Sequence, residues 1–148
     1  MAKEEYLVLN LTSEDLMVGD WVKYNPNVFN EDEYEPAKPL VNTRIEGGED
    51  IDLAIEECYS AIPIDEEILG KNGFNVFGLF FAYLDLDDVN YFEYYYAEHR
   101  FRKVRRKTYN DGNTETKEYE IEFQCKCKYV HELQHAFRMC NYYKEFVV

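Results

Sequence analysis

The strongest constraint on the fold is the tetrapeptide Asn110-Asp111-Gly112-Asn113, which separates two long segments rich in β-branched, aromatic and charged residues. Asp-Gly between two strand-like segments is a strong signal for a two-residue β-hairpin, because these residues tolerate the positive φ angles of a type I′ turn. We therefore predict an antiparallel pair of strands in which Asp111 and Gly112 form the turn and Asn110 lies opposite Asn113.

This register sorts the side chains of the hairpin onto two faces, since register partners in an antiparallel pair point to the same side. The pairs predicted on the first face are Arg105–Glu118, Lys103–Glu120 and His99–Gln124. The pairs predicted on the second face are Val104–Tyr119 and Arg102–Ile121. Opposite charges across two strands contribute about 0.2–1 kcal/mol per pair. An ionic ladder therefore explains the basic segment 99–107 without a nucleic-acid ligand.

The flanking segments complete an α+β pattern. Two aromatic, strand-like segments, Val76–Leu84 and Tyr91–Val104, precede the turn, and a helical pattern begins at Val130. Farther upstream, Asp65 is placed to cap a short helix, Glu66–Lys71. We predict an α+β fold that is mainly antiparallel β-sheet, with a short middle helix and a C-terminal helix.

Residues 1–60 are predicted to form an acidic, β-rich N-terminal subdomain, and residues 61–148 an α+β subdomain that packs with it into one compact unit. Gly19-Asp20 before Trp21-Val22 is typical of the opening strand of SH3-like barrels. Residues 6–9 are predicted to form a strand, and residues 25–39 a long acidic excursion. Residues 40–45 and 51–55 are predicted to pair as a hairpin across Gly47-Gly48.

Charge is distributed very unevenly along the chain. Residues 1–70 contain 18 acidic and 4 basic residues, whereas residues 71–148 contain 12 of each. An acidic field repels nucleic acid and anionic membranes, so we expect a protein partner, which the sequence does not identify, rather than either of these. No apolar run approaches the about 20 residues of a membrane-spanning helix, and residues 1–5 lack the features of a signal peptide. We therefore expect a cytoplasmic protein.

His131-Glu132-Leu133-Gln134-His135 matches H-E-x-x-H, the pattern in which two helical histidines bind zinc and the glutamate acts as general base. A catalytic zinc site also needs a third protein ligand. The metzincin pattern supplies it as a histidine six residues after the second one, with a glycine at the third. Those positions hold Asn141 and Arg138 here. A zinc metallopeptidase with His131 and His135 as ligands and Glu132 as base is therefore kept as an alternative, and no cofactor is assigned.

The pattern of the helix also argues against a metal site. Its apolar stripe at 3.6-residue spacing consists of Val130, Leu133, Phe137 and Cys140. This stripe predicts that His131 and His135 lie on the opposite, solvent-facing side. A second metal hypothesis adds three cysteines, because thiolates and imidazoles both suit zinc; its ligands would be Cys125, Cys127, His131, His135 and Cys140. The spacing is not a common zinc pattern, so we expect reduced thiols, as we also do for Cys58.

Aromatic and basic residues offer a third site. Tyr91, Tyr94, Tyr95 and Tyr96 could act as base-stacking platforms, with Arg105 and Arg106 contacting phosphates. The acidic residues predicted on the neighbouring strand neutralise much of the attraction that such binding needs. The same tyrosines and arginines also suit a protein interface.

Three blocks of the sequence resemble a family: residues 16–22, 61–74 and 128–135. In this order they are similar to small uncharacterised proteins encoded in genomes and prophages of anaerobic gut bacteria. The resemblance implies a mobile-element origin and a packed terminal helix anchored by Tyr129, Val130 and Leu133. It also implies that His135 is a local variation, since similar proteins often carry another residue there. We therefore expect a non-catalytic interaction module of phage or prophage type.

Overall fold

The structure is a computed structural model that describes Leu11 and residues 15–26, 40–52, 59–78 and 80–148. Its elements in chain order are β1 (Trp21–Tyr24), β2 (Val41–Arg44), α1 (Gly48–Asp52), β3 (Tyr59–Ser60), α2 (Glu66–Lys71), β4 (Asn75–Phe77), β5 (Phe81–Asp85), β6 (Asn90–Tyr95), β7 (Arg100–Asp111), β8 (Thr114–Lys126) and α3 (Val130–Met139). All strand pairs are antiparallel. The predicted α+β fold with mainly antiparallel sheet is confirmed.

The chain divides into two compact units, and α3 begins in the first and continues in the second. The first unit consists of residues up to Pro63 together with Tyr129–His131. Its three-stranded sheet has the order β2-β1-β3. The buried core of this unit comprises Leu11, Leu16, Val22, Ile45, Tyr59 and Ala61. An SH3-like arrangement stays a prediction.

One element of the first unit was predicted wrongly. Residues 48–52 form helix α1 instead of the start of a second hairpin strand. The Asp50 carboxylate accepts a hydrogen bond from the Glu46 backbone N–H at 2.8 Å, and Glu49 and Asp50 lie in the first turn. Acidic side chains at a helix N-terminus stabilise it, because the backbone N–H groups there are unpaired and carry partial positive charge. The strand predicted at 6–9, nearly all of the excursion 25–39, and Cys58 lie outside the described residues.

The second unit contains residues 64–128 and 132–148, and its five strands form a meander in sequence order, β4-β5-β6-β7-β8. The predicted helix α2 is confirmed at both ends. Asp65 caps its start, because the side chain accepts a hydrogen bond from the Ile68 N–H at 2.8 Å. Asn72 is the C-cap, and Gly73 follows at φ +90°. The buried Asn72 side chain also exchanges two hydrogen bonds with the backbone of Val147, which fixes the C-terminal segment.

Phe137 of α3 is the hub of the core of the second unit. Its ring lies between 5.1 and 6.2 Å from the centroids of five other aromatic rings: Phe74, Phe92, Phe101, Tyr142 and Phe146. Aromatic pairs at such distances stabilise a fold beyond the area they bury. This cluster joins α3 to β6, β7 and the segment that follows α2.

The β7–β8 hairpin is present, but its turn lies one residue later than predicted. Asp111 pairs with Thr114, so Gly112 and Asn113 form the loop. Of these two residues only Gly112 has a positive φ, +66°. A positive φ at the first central residue alone indicates a type II′ turn, whereas type I′ needs it at both. Gly112 therefore occupies the first central position of the turn, so the turn lies one residue later than the predicted turn at Asp111 and Gly112.

The later turn changes the partners along the hairpin but not the faces. Each partner shifts by two residues, so Arg105 lies opposite Glu120 instead of Glu118. The predicted ion pairs Arg105–Glu118 and Lys103–Glu120 are wrong. The ion pairs on this face are Lys107–Glu120 at 2.7 Å and Lys103–Glu122 at 3.5 Å, and neither joins two register partners. A bulge between Lys103 and Val104 then moves the register once more, which places Arg102 opposite Gln124. The predicted His99–Gln124 pair is wrong, because His99 belongs to the turn before β7.

Candidate interaction face of the five-stranded sheet

The five-stranded sheet has one packed side and one side that carries aromatic and arginine side chains towards solvent. On the packed side, Ala82, Phe92, Tyr94 and Phe101 are buried. The register places the opposite set in rows across the strands, since partners share a side. We call this side the outer face; its aromatic and arginine residues are Phe77, Phe81, Tyr83, Tyr91, Tyr95, Arg100, Arg102, Arg106 and Tyr119.

Four rings of the outer face stack on one another across three strands. Phe77 lies 5.4 Å from Phe81 and 5.5 Å from Tyr83, with the planes within 19° of parallel. Phe81 continues the stack to Tyr95 at 5.8 Å. Near-parallel rings at these centroid distances attract one another, which helps to order the stack on the sheet. Phe77 is nevertheless 51 % exposed, so the stack remains open to a partner.

Two guanidinium groups lie over tyrosine rings of the same face. Arg102 sits 5.1 Å from the Tyr95 centroid, and Arg106 sits 4.2 Å from that of Tyr91. These distances are within the range of cation–π attraction. Arg106 also donates a hydrogen bond to the Asp85 carboxylate at 2.9 Å, which raises the pKa of Arg106. The Nε atom of Arg102 is buried and has no hydrogen-bond partner among the described residues.

A shallow depression lies at the centre of this arrangement. It has a volume of about 270 Å³ and is lined by Phe81, Tyr83, Tyr91, Glu93, Arg106 and Tyr119. A second depression of about 450 Å³ shares Arg106 and Tyr119 and continues along the hairpin past Thr108 and Lys117. Tyr119 lines both depressions and is 62 % exposed. The outer face therefore offers two adjoining depressions, the first lined mainly by aromatic rings and the second mainly by charged and polar side chains.

The charges of the outer face differ from those of the ionic ladder. Glu120 and Glu122 pair with Lys107 and Lys103 on the opposite side of the sheet. On its strands, the basic residues of the outer face are Arg100, Arg102, Arg106, Lys117 and Lys126, and the acidic residues are Asp85, Glu93 and Glu115. Two acids of the adjoining turns also lie there: Glu98 pairs with Arg100 at 3.2 Å, and Asp88 lines the second depression. The acids that the sequence suggested as neutralising partners therefore do not lie beside Arg102 and Arg106.

The structure separates the tyrosines and arginines that the sequence grouped as one surface. Tyr91, Tyr95 and Arg106 lie on the outer face, but Arg105 points to the other side. Tyr94 is a core residue with 1 % exposure, and its hydroxyl donates to the Cys127 carbonyl at 2.6 Å. It is therefore not a surface platform.

Tyr96, the last of the grouped tyrosines, belongs to the turn after β6. It is half-buried, and its hydroxyl oxygen has no hydrogen-bond partner within the described ranges. This burial raises the pKa of Tyr96 to about 12. Sequence reasoning missed Phe77, Phe81, Tyr83 and Tyr119, although alternation along the strands was the signal that could have selected them.

The H-E-x-x-H motif lies on α3, but its side chains serve the fold. His131 is buried with 5 % exposure and stacks on Tyr129, so the prediction that it faces solvent is wrong. Gln134 and Ala136 are buried as well, so the buried surface of α3 is wider than the apolar stripe that the sequence predicted. The Glu132 carboxylate accepts a hydrogen bond from the Lys128 N–H at 3.0 Å and thereby caps the start of the helix.

No group of three or more His, Cys, Asp or Glu side chains in the described part of the chain is placed to hold a metal ion. His131 and His135 therefore have no third residue of these types placed with them to hold a metal ion, and the larger set that adds Cys125, Cys127 and Cys140 does not form such a group. None of these three cysteines forms a disulfide within the described residues.

Comparisons with known proteins add no further assignment, since no family model, no curated protein and no solved structure matches the chain. Among the helices of the described residues, none is long and apolar enough to cross a membrane.

Proposed function

We propose that the protein is a non-catalytic binding module and that its outer face binds an acidic segment of a partner protein. The observation that carries this proposal is the stacked and partly exposed set of rings on the outer face, flanked by the guanidinium groups of Arg102 and Arg106. Contiguous exposed apolar surface of this kind is typical of interaction sites on soluble proteins.

The composition of the outer face favours a protein interface. Interface cores are enriched in Tyr, Phe and Arg and depleted in Lys, Glu and Asp. Tyrosine and arginine are also the residues whose truncation most often weakens a complex. The stacked rings are already ordered before a partner arrives, so binding requires little further loss of side-chain freedom.

The charge of the outer face favours an acidic partner segment. On the strands of the outer face, five basic side chains accompany three acidic ones, and Arg102 and Arg106 lie in one row over tyrosine rings. A carboxylate approaching along the Arg102–Arg106 row would gain charge-assisted hydrogen bonds. Glu93 and Asp85 limit the site to segments that place their acids beside the arginines.

The ring geometry favours protein over single-stranded nucleic acid. Base stacking needs open ring faces, but Phe77, Phe81 and Tyr95 direct their faces at one another, and Arg102 and Arg106 lie over Tyr95 and Tyr91. The phage or prophage origin and the cytoplasmic location expected from the sequence are part of this proposal.

A peptide selection tests the proposal. Random peptides displayed on phage are selected on the immobilised protein, and the enriched sequences are synthesised for measurement of Kd. We expect enriched peptides to carry net negative charge. We expect Tyr119→Ala to weaken their binding about 10-fold or more. Tyr109→Ala is the matched control, because Tyr109 is an exposed tyrosine on the opposite side of the same hairpin.

Two results would overturn the proposal. Equal loss of binding in both tyrosine variants would remove the outer face as the site. Saturable binding of a labelled single-stranded oligonucleotide that is lost in Tyr119→Ala, without peptide binding, would assign the face to nucleic acid instead.

A further inference from the structure

Two cysteine thiols lie in contact at the end of β8. The Sγ atoms of Cys125 and Cys127 are 3.4 Å apart. Alternate residues of a strand point to the same side, and with a rise of about 3.3–3.4 Å per residue their Cα atoms are roughly 6.7 Å apart. This separation lies within the about 4.4–6.8 Å that disulfides span. This value is at the upper limit, but the sulfur atoms already touch and Cys127 lies just beyond the last residue of β8, so a local adjustment of the backbone there is enough to join them.

The backbone around Cys127 holds this thiol in place. Its N–H donates to the His99 carbonyl at 2.7 Å, and its carbonyl accepts the hydroxyl hydrogen of Tyr94 at 2.6 Å. Cys127 is fully buried, whereas Cys125 is only half-buried. An oxidant from solvent therefore reaches the Cys125 thiol directly, whereas the Cys127 thiol is not accessible to it.

The contact between the two thiols also shifts their pKa values in opposite directions. The hydrogen bond from the Cys127 thiol lowers the pKa of Cys125, because it stabilises the thiolate. The pKa of Cys127 is raised, first by donating that hydrogen bond and then by burial. Cys125 is the group that ionises first, and the thiolate is the reactive form of cysteine.

We propose that Cys125 and Cys127 are a redox-active dithiol that closes to an intramolecular disulfide when a peroxide oxidises it. The Cys125 thiolate attacks one peroxide oxygen, the O–O bond breaks, and Cys125 becomes a sulfenic acid while hydroxide leaves and is protonated to water. The Cys127 sulfur then attacks the Cys125 sulfur, the S–O bond breaks, and the second hydroxide takes up the Cys127 proton as water. Two thiols are oxidised by two electrons, and one hydrogen peroxide becomes two water molecules.

Intact-mass spectrometry after alkylation tests this step. The purified full chain is treated with hydrogen peroxide, denatured, alkylated with N-ethylmaleimide and weighed, and its peptides are mapped. The reduced chain has four alkylated cysteines, and we expect two after oxidation, with Cys125 linked to Cys127 in the peptide map. Dithiothreitol should restore four.

Two variants separate this pair from the other thiols. Cys140→Ser should still lose two alkylation sites, because Cys140 takes no part. Cys127→Ser should form no internal disulfide and should instead accumulate a Cys125 sulfenic acid that dimedone traps. The proposal is overturned if all thiols remain alkylated after peroxide, if the map links Cys125 to Cys140 or Cys58, or if Cys127→Ser oxidises like the unaltered chain. The readout does not depend on a binding partner, so its outcome is independent of the proposed interaction.

Discussion

Replacing Tyr94 by phenylalanine removes one hydroxyl from the core of the second unit and leaves the ring in place. The hydroxyl donates to the Cys127 carbonyl at 2.6 Å, and the residue is 1 % exposed, so water cannot easily replace it. Leaving a buried acceptor without its donor costs about 1–3 kcal/mol. We expect Tyr94→Phe to lower the free energy of unfolding by this amount, measured by urea denaturation at pH 7.

The pH dependence of this variant gives a sharper signature. Burial, followed by the nearby Cys127, raises the pKa of Tyr94 above its ordinary value of about 10. The unfolded chain therefore releases this proton at lower pH than the folded chain does. The stabilisation is complete below pH of about 10 and declines above it, with a slope of up to about 1.4 kcal/mol per pH unit. The difference between the unaltered chain and Tyr94→Phe should shrink as the pH rises beyond that point.

Tyr119→Phe is the control, because it removes an exposed hydroxyl from the outer face and should change stability by less than about 0.5 kcal/mol. The reasoning about Tyr94 is refuted if Tyr94→Phe is as stable as this control. It is also refuted if the difference caused by Tyr94→Phe grows, instead of shrinking, in alkaline solution.

Three further substitutions test the fold. Phe137→Ala should destabilise the chain by about 3–5 kcal/mol in urea denaturation, because Phe137 contacts five rings in the core; a loss below about 1.5 kcal/mol would contradict its role as hub. Glu132→Ala should cost about 1 kcal/mol by removing the acceptor of the Lys128 N–H, whereas Glu132→Gln keeps an acceptor and should cost less; equal losses would contradict the capping role. Gly112→Ala should lower the thermal midpoint because of its φ of +66°, and Asn113→Ala should lower it less; the reverse order would contradict the type II′ turn.

Local signals in the sequence predicted those parts of the fold that local chemistry determines. Asp65 caps α2 with its own side chain, and Asn72-Gly73 ends it, so both boundaries are encoded within a few residues. The hairpin was also encoded locally, but Asp-Gly and Gly-Asn both fit a two-residue loop, and the choice between them set the register. Helix α1 was missed because apolar alternation hid the acidic N-terminal turn around Asp50.

The candidate site depended on packing that the sequence does not display. Of the four aromatic residues of β6, Phe92 and Tyr94 are buried and Tyr91 and Tyr95 lie on the outer face, but composition alone grouped the tyrosines together. Likewise, apolar residues at 3.6-residue spacing predicted the main buried side of α3. They did not predict the burial of His131, which lies on a different side of the helix and stacks on Tyr129. The register of β6 with β7 was needed before Arg105 and Arg106 could be assigned to opposite faces.

The most direct test of the proposed interaction compares Arg106→Gln with Arg105→Gln, two neighbouring arginines on opposite sides of β7. The measurement is the Kd of an acidic peptide from the selection, at low and at moderate salt. We predict that Arg106→Gln weakens binding about 10-fold or more and reduces its salt dependence, while Arg105→Gln stays within about twofold of the unaltered chain. Equal effects of the two substitutions, or the larger effect in Arg105→Gln, would contradict binding at the outer face.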